Sequence, residues 1–236
     1  MLRQRLVRGL WSCSRVQAPT LPGLSARWQS TSTTTESADS LAAKYSKYQT
    51  SLREIWPRLN DRQKELLSSM LRVNQAGEIG ANYIYMGQHA VFRSNPKLGP
   101  LIEHMWEQEK KHLYVFDNFI GNNRVRPTML RPMWVTAGYM LGLGTALVGK
   151  EAAMACTEAV ETVIGNHYDD QLRELLKIDH PEVENLRQII KEFRDDELEH
   201  LDTAVEHDAH QAPVYRGLSE VIKQGCKVCI EIAKRV

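Results

Sequence analysis

Apolar residues recur at every third or fourth position from Asp61 to the C-terminus, as expected for amphipathic helices. Prolines and short polar stretches interrupt this pattern, for example at Asn95-Pro96 and at Asp179-His180-Pro181. From Asp61 onward, no segment shows the two-residue alternation of a β-strand. The pattern therefore predicts an all-α domain, with helices near 61–93, 97–121, 132–149, 151–177, 181–209 and 213–235.

Two of these predicted helices carry the motif Glu-x-x-His within their apolar stripe. Glu109 and His112 lie in the second helix, and Glu197 and His200 lie in the fifth. A step of three residues ends roughly 60° short of a full helical turn, so the two side chains of each motif point to one spot. A buried carboxylate is costly unless it is paired or bound to a cation, and these stripes contain no basic residue. Glu107, in contrast, lies about 200° around the helix from Glu109 and is predicted to face solvent.

A further glutamate precedes each motif. Glu78 lies 31 residues before Glu109, and Glu161 lies 36 residues before Glu197. Four carboxylates and two imidazoles in this order are typical of ferritin-like dimetal proteins, in which a four-helix bundle holds two iron or manganese ions. The pattern predicts such a bundle, with the apolar helix near 132–149 as a crossover and with an additional C-terminal helix.

The same order suggests an internal repeat, with halves at about 61–121 and 151–209. The assignment of Glu78 depends most on this repeat, because its helix has the least apolar stripe. Helical periodicity alone does not separate Glu161 from Glu158, which lies one turn earlier on a nearby face.

Other functions remain compatible with the motifs. A bundle of buried ion pairs without metal would need basic partners, and zinc prefers a tetrahedral site of nitrogen and sulfur ligands. Iron storage, ferroxidase activity, a dimanganese catalase, a rubrerythrin-like peroxidase and a scaffold with a structural metal would all share these ligands. The ferritin- or rubrerythrin-like iron-binding or peroxide-reducing protein is the main alternative to an oxygen-dependent enzyme.

The first 35 residues differ in composition from the rest of the chain. They contain five arginines and no lysine, aspartate or glutamate, and they end in a stretch rich in serine and threonine. This composition predicts a mitochondrial transit peptide at 1–35. Without it, 25 basic residues face 29 acidic ones, so the net charge changes from +1 to −4 and argues against a nucleic-acid partner. Residues 36–60 are interpreted as a linker or peripheral arm, and 61–236 as the dimetal domain.

Residues 133–149 are 17 uncharged residues between Arg131 and Lys150. A membrane span needs about 20 apolar residues, so this segment predicts an interfacial helix that buries one face in a bilayer. A crossover helix between the two halves of the bundle would fit the same residues. The spacing Gly138-x-x-x-Gly142 allows close helix packing.

Three cysteines follow the first 35 residues, and an odd number favours a reducing compartment over a disulfide framework. Cys226-x-x-Cys229 lies in the apolar C-terminal helix without a second cysteine pair. These two residues are predicted to be small, buried side chains.

Four stretches of the chain resemble demethoxyubiquinone hydroxylases, the di-iron enzymes of ubiquinone biosynthesis. They are Arg72–Met86 (RVNQAGEIGANYIYM), Met105–Leu113 (MWEQEKKHL), Gly144–Val160 (GTALVGKEAAMACTEAV) and Phe193–Asp202 (FRDDELEHLD). The resemblance spans roughly residues 70–236. It implies an O2-dependent monooxygenase that hydroxylates the ring of a polyprenyl demethoxy-benzoquinol.

The resemblance also implies residues, cofactors and partners. It selects Glu161 over Glu158, assigns a role in electron coupling to the quinone to His167 and Tyr168, and implies two iron ions with NADH as electron source. The family further implies a peripheral position on the matrix side of the mitochondrial inner membrane, together with a lipid-binding accessory protein of the same pathway. The metal ligands that it implies are Glu78, Glu109, His112, Glu161, Glu197 and His200.

Overall fold

The computed structural model describes residue 43, residues 45–48 and residues 52–236, so the predicted transit peptide lies outside the described residues. The described residues form helices and no strand, which confirms the predicted all-α fold. Each observed helix begins and ends within three residues of its predicted bounds. The helices are α1 (Asp61–Phe92), α2 (Leu98–Asn123), α3 (Arg131–Val148), α4 (Lys150–Leu175), α5 (Pro181–Glu206) and α6 (Tyr215–Ala233), with 3-10 turns at Ser46–Tyr48, Trp56–Arg58 and Ala209–Gln211.

Local sequence signals explain where the long helices begin and end. Asn60 caps α1 by accepting a hydrogen bond from the Gln63 amide, and the Gln63 side chain accepts from the Asn60 amide in return. α5 begins at Pro181, whose fixed backbone angle suits the first helical turn. α2 ends where Arg124 adopts a left-handed conformation with φ of 54°.

Helices α1, α2, α4 and α5 form the four-helix bundle of a ferritin-like fold. α1 packs against α2, and α4 packs against α5. A cluster of fully buried aromatic and aliphatic side chains fills one end of the bundle and includes Leu71, Phe116, Phe119, Leu186 and Phe193. α3 and α6 lie outside the four-helix core, α3 against α1 and α6 mainly against α4.

α3 is the crossover helix, and two glycines hold it close to α1. A Cβ atom on Gly138 would lie 2.6 Å from the backbone oxygen of Gly80, and one on Gly142 would overlap the backbone oxygen of Ile84. The Gly138-x-x-x-Gly142 spacing therefore serves packing within the chain. The outer face of α3 leaves Met140 and Leu147 more than half exposed, at 59% and 69%. Among the described helices, none is long and apolar enough to cross a membrane.

The described part of the N-terminal arm packs against the bundle. Leu52 and Ile55 are fully buried, and the Leu52 amide donates a hydrogen bond of 2.7 Å to the Asn123 side chain at the end of α2. These few apolar contacts were not predicted because residues 36–60 are mostly polar.

The prediction that both cysteines of the Cys226-x-x-Cys229 motif are buried is wrong. Cys226 is partly buried and Cys229 is exposed. The physical reason is that α6 lies at the edge of the bundle, so only one side of this amphipathic helix has a partner. Val228 on its other side is 58% exposed, and Cys229 lines an open cavity beside α6.

Candidate metal centre

All six residues predicted as metal ligands meet in the middle of the four-helix bundle, each no more than 2% exposed. Glu78 comes from α1 and Glu161 from α4, while α2 and α5 each contribute one Glu-x-x-His motif. Ligand atoms within 4.8 Å of one another form two groups, Glu78, Glu109, His112 and Glu197, and Glu109, Glu161, Glu197 and His200. Glu109 and Glu197 belong to both groups, so each would lie close to both of two metal ions held there.

The Nδ1 atoms of both histidines point into this cluster. His112 Nδ1 lies 3.1 Å from Glu197 Oε1 and 3.6 Å from Glu78 Oε2. His200 Nδ1 lies 3.2 Å from both Glu109 Oε1 and Glu197 Oε2. One imidazole nitrogen and several carboxylate oxygens therefore face each of two points inside the bundle.

The cluster holds nearly all of the unpaired buried polar atoms. Nine buried side-chain nitrogen or oxygen atoms in the described part of the chain lack a hydrogen-bond partner, and eight of them belong to these six residues. A buried polar atom without a partner costs about 1–3 kcal/mol. Two cations at the facing points would give these atoms partners, so the donor set fits a pair of metal ions.

Two residues hold the outward-facing histidine nitrogens. His112 Nε2 lies 2.9 Å from Asp196 Oδ2, and His200 Nε2 lies 2.9 Å from Gln108 Oε1. Because both oxygens are acceptors, each Nε2 donates its hydrogen outward, and the neutral form of each ring therefore presents its Nδ1 lone pair to the cluster. Neither Asp196 nor Gln108 was identified from the sequence. The available signal was that each immediately precedes the glutamate of a Glu-x-x-His motif.

Two buried tyrosines orient the outer glutamates. The Tyr85 hydroxyl donates a hydrogen bond of 2.9 Å to Glu161 Oε1, and the Tyr168 hydroxyl donates to Glu78 Oε1. Each tyrosine lies seven residues after the glutamate of its own helix, which is about two turns, and contacts the glutamate of the other helix. Tyr85 was not identified from the sequence and Tyr168 was predicted to have a different role, although both tyrosines show this seven-residue spacing in the sequence.

The electrostatics show why the cluster needs cations. Burial and the nearby charge of Glu197 together raise the pKa of Glu109 to about 8. Burial and the same charge hold the pKa of Glu161 well above its usual range. Without positive charge, the four carboxylates cannot all be ionised at neutral pH.

The structure separates Glu161 from Glu158, which the sequence alone left open. Glu161 lies in the cluster. Glu158 instead accepts hydrogen bonds from the Tyr215 hydroxyl at 2.7 Å and from Lys223 Nζ at 3.3 Å, so it ties α4 to α6.

His167 lies one step away from the cluster. Its Nε2 accepts a hydrogen bond of 2.7 Å from Gln171, whose side chain also donates to Asn74 at 2.6 Å. Burial, together with the charge of Lys234, lowers the pKa of His167 to about 4. The ring is therefore neutral at physiological pH, and its electron-coupling role stays a prediction.

An apolar cavity of about 310 Å³ lies beside the cluster, on the outer side of α1 and α4. This volume is at the lower end of the range of ligand pockets. Small residues of α1 and the inner faces of α3 and α6 form most of its wall, including Gly77, Gly80, Ala81, Gly138, Gly225 and Ala233. Val160 and Ile164 of α4 also line it, and they flank Glu161 in sequence. α1 and α4 thus place candidate metal ligands on their inner sides and line the cavity with their outer sides.

The fold and the site define a ferritin-like helical protein with a buried carboxylate–histidine site for two metal ions. The family described as "Ubiquinone biosynthesis protein COQ7" matches residues 65–233. The chain belongs to this family, and the resemblance predicted from the four sequence stretches is confirmed.

Relatives from animals, fungi and bacteria support the same assignment. The mouse "NADPH-dependent 3-demethoxyubiquinone 3-hydroxylase, mitochondrial" is 49% identical over 75% of this chain and 81% of its own length. The Saccharomyces cerevisiae "5-demethoxyubiquinone hydroxylase, mitochondrial" is 47% identical over 75% of this chain and 82% of its own length. The Rhodospirillum rubrum "3-demethoxyubiquinol 3-hydroxylase" is 46% identical over 72% of this chain and 79% of its own length.

Proposed function

We propose that this chain is an O2-dependent monooxygenase that hydroxylates the ring of a polyprenyl demethoxy-benzoquinol in ubiquinone biosynthesis. The observation that carries the proposal is the position of the six-residue cluster, separated by one layer of helix from an apolar cavity. Eight unpaired polar atoms on one side and a wall of small apolar residues on the other suit a metal centre and a lipid-like substrate. Membership of the family supplies the reaction class.

The donor set favours iron within this proposal. Four carboxylates and two imidazoles suit octahedral iron or manganese, whereas structural zinc sites use four nitrogen or sulfur ligands. One ion would be held by Glu78 and His112, the other by Glu161 and His200, with Glu109 and Glu197 shared. The chemistry that such a pair would supply is the activation of O2 for insertion of one oxygen atom into the ring.

The protein's own residues orient the ligands and exclude water. Asp196 and Gln108 fix the hydrogen on the outer nitrogen of each histidine, so that both Nδ1 atoms stay available as ligands. Phe193 stacks on the His112 ring at 4.0 Å between centroids, and the edge of Tyr85 covers His200 at 5.7 Å. These aromatic rings pack against the two imidazoles and hold them in place.

His167 and Tyr168 are proposed to couple the quinone to the metal site. Tyr168 contacts Glu78 directly, while His167 reaches α1 through Gln171 and Asn74. Because Nε2 already accepts from Gln171, a neutral His167 carries its hydrogen on Nδ1 and can donate it to an oxygen of the quinone. The reductant is proposed to be a reduced nicotinamide; NADH was predicted from the sequence, and the mouse relative is named NADPH-dependent.

The site of action is proposed to be the matrix face of the mitochondrial inner membrane. The exposed apolar residues of α3 and α6 lie on the two helices that roof the cavity, so a bilayer contacting them would border the substrate's entrance. A lipid-binding accessory protein of the same pathway is the proposed partner. An iron-storage or peroxide-reducing protein would share the metal ligands but has no use for an apolar cavity beside them.

The decisive experiment uses iron-loaded protein, demethoxyubiquinol and isotopically heavy O2, with NADH and NADPH supplied in separate reactions. Mass spectrometry is expected to find one heavy oxygen atom in the quinol ring. Metal-free protein serves as the control, and hydrogen peroxide consumption is followed in parallel. Unlabelled, unchanged quinol from protein with two bound iron ions, together with rapid peroxide turnover, would contradict the proposal and favour the peroxidase alternative.

A further inference from the structure

The two Glu-x-x-His motifs support each other across the bundle in a paired arrangement. Asp196, which precedes Glu197 on α5, contacts the histidine of α2, and Gln108, which precedes Glu109 on α2, contacts the histidine of α5. Both contacts are 2.9 Å long and both use Nε2. Tyr85 and Tyr168 repeat this reciprocity for the outer glutamates.

One feature breaks the symmetry, namely the charge of the residue behind each histidine. Asp196 offers a carboxylate, and Lys111 Nζ lies 2.6 Å from the same Oδ2 atom that contacts His112. Gln108 offers a neutral amide oxygen to His200. A carboxylate that accepts the outer hydrogen of a metal-binding imidazole increases the ligand's basicity, and outer contacts of this kind change metal affinity by about 10–100-fold.

The remaining surroundings of the two positions are closely matched. Each position has three carboxylates and one imidazole, each shares Glu109 and Glu197, and each outer glutamate accepts a hydrogen bond from a buried tyrosine. The outer partner of the histidine is therefore the main chemical difference between the two positions.

We infer that the two metal positions are inequivalent, and that Asp196 makes the position of Glu78 and His112 the tighter one, which fills first. Gln108 leaves the position of Glu161 and His200 weaker. Asp196 and Gln108 act as positioning residues that set the order of metal binding. This inference rests on the proposed dimetal function and adds the order in which the two metal ions bind.

The test is an anaerobic titration of the metal-free full-length protein with Fe2+, followed by calorimetry. The wild type is expected to bind two ions in two resolved steps, and Mössbauer spectra of 57Fe at one equivalent are expected to show one type of iron. Asp196→Asn should weaken the first step about 10–100-fold and merge the two steps. Gln108→Glu should strengthen the second step and leave the first unchanged.

The double variant Asp196→Asn, Gln108→Glu exchanges the two partners and should reverse the order of filling. Anomalous diffraction at one equivalent of iron would then locate the ion beside His200 rather than His112. Asp195→Asn is the matched control, because Asp195 is exposed and pairs with Lys191 and Arg194 rather than with the cluster. Circular dichroism of the metal-free proteins checks that each variant folds; if Asp196→Asn does not, Gln108→Glu carries the test.

Two equal binding constants in the wild type would overturn the inference, and so would an unchanged first step in Asp196→Asn. These results differ from failure of the proposed function. Wild-type protein that binds fewer than two Fe2+ ions would contradict the dimetal proposal itself. Protein that binds two ions and hydroxylates quinol, with no effect of Asp196→Asn, would contradict the order alone.

Discussion

Helices α1 and α4 each separate two interiors with opposite chemistry. Their inner sides place Glu78 and Glu161 in a closed cluster where hydrogen bonds fix the outer atoms and leave the inner ones free. Their outer sides are lined by small or aliphatic residues and border a cavity under α3 and α6. The metal-ligand cluster depends on charged groups at fixed distances. The cavity exists because small residues leave space that larger side chains would fill. Substitutions should therefore act on the two regions by different physical mechanisms.

The largest expected effect follows from removing a shared carboxylate. Glu109→Ala should abolish hydroxylation, because Glu109 belongs to both groups of candidate ligands. The metal-free variant should be at least as stable as the metal-free wild type, since it has one buried carboxylate fewer to desolvate. Iron content, quinol turnover and thermal unfolding with and without Fe2+ would measure these effects.

The control for this prediction lies two residues away on the same helix. Glu107 is exposed and pairs with Lys110 at 2.5 Å, so Glu107→Ala should retain iron and activity and change stability by less than about 0.5 kcal/mol. Normal turnover and full iron content in Glu109→Ala would show that the ligand assignment is wrong.

The second effect concerns the α1–α3 contact that forms the roof of the cavity. Gly142→Ala should destabilise the fold by about 1–3 kcal/mol, because its Cβ would overlap the Ile84 backbone and force the helices apart. Gly144→Ala, two residues further along α3, meets nothing within 4 Å and should be neutral or stabilising by up to about 1 kcal/mol. Urea unfolding would compare them. Equal stabilisation by both substitutions would mean that helix propensity, rather than close packing, determines their effect.

The difference between the two interiors also explains what could be predicted from the sequence. The charged cluster was predictable because Glu109 and Glu197 interrupt otherwise apolar stripes, and a buried charge demands an explanation. The roles of Asp196 and Tyr85 were not predictable. An acid beside a motif and a tyrosine in a helix are common, and their function becomes visible only when the facing helix is placed. Their contacts join residues that are 76 and 84 positions apart in sequence.

The cavity side was harder to predict because it is defined by small side chains and by a helix face without a packing partner. Helical periodicity located α6 correctly, but it could not show that one face of this helix would lack a partner. The prediction of a buried Cys229 failed because this residue lines the cavity, where no other helix covers it. The glycine spacing in α3 was recognised as a packing signal, yet only the fold identifies α1 as its partner.

A third prediction tests whether the cavity holds the substrate. Gly77 lines it, and a Cβ there would meet nothing within 4 Å, so Gly77→Leu should project into the cavity without moving the backbone. We expect the KM for the prenylated quinol to rise about tenfold or more, which is the scale of pocket misfits, with iron content unchanged. Gly121→Leu adds the same side chain at an exposed, unobstructed position of α2 and should leave KM unchanged. An unaltered KM in Gly77→Leu would place the substrate elsewhere.

The smallest expected effects lie on the outer faces of α3 and α6. Leu147 and Val228 are 69% and 58% exposed, so Leu147→Ser and Val228→Ser should change the free energy of unfolding by less than about 0.5 kcal/mol. If these faces enter a bilayer, each substitution removes apolar area worth about 25 cal/mol per Å². Binding to vesicles of phosphatidylcholine and cardiolipin should then weaken severalfold in a sedimentation assay.

Leu176 supplies the matched control for the membrane contact. It is 63% exposed, similar to the other two residues, but it follows the end of α4 and belongs to neither α3 nor α6. Leu176→Ser should leave vesicle binding unchanged. An equal loss in all three variants would show that general surface hydrophobicity determines the binding. A loss confined to α3 and α6 would instead place the bilayer against the two helices that roof the cavity, so that the lipid substrate reaches the apolar interior directly from the membrane.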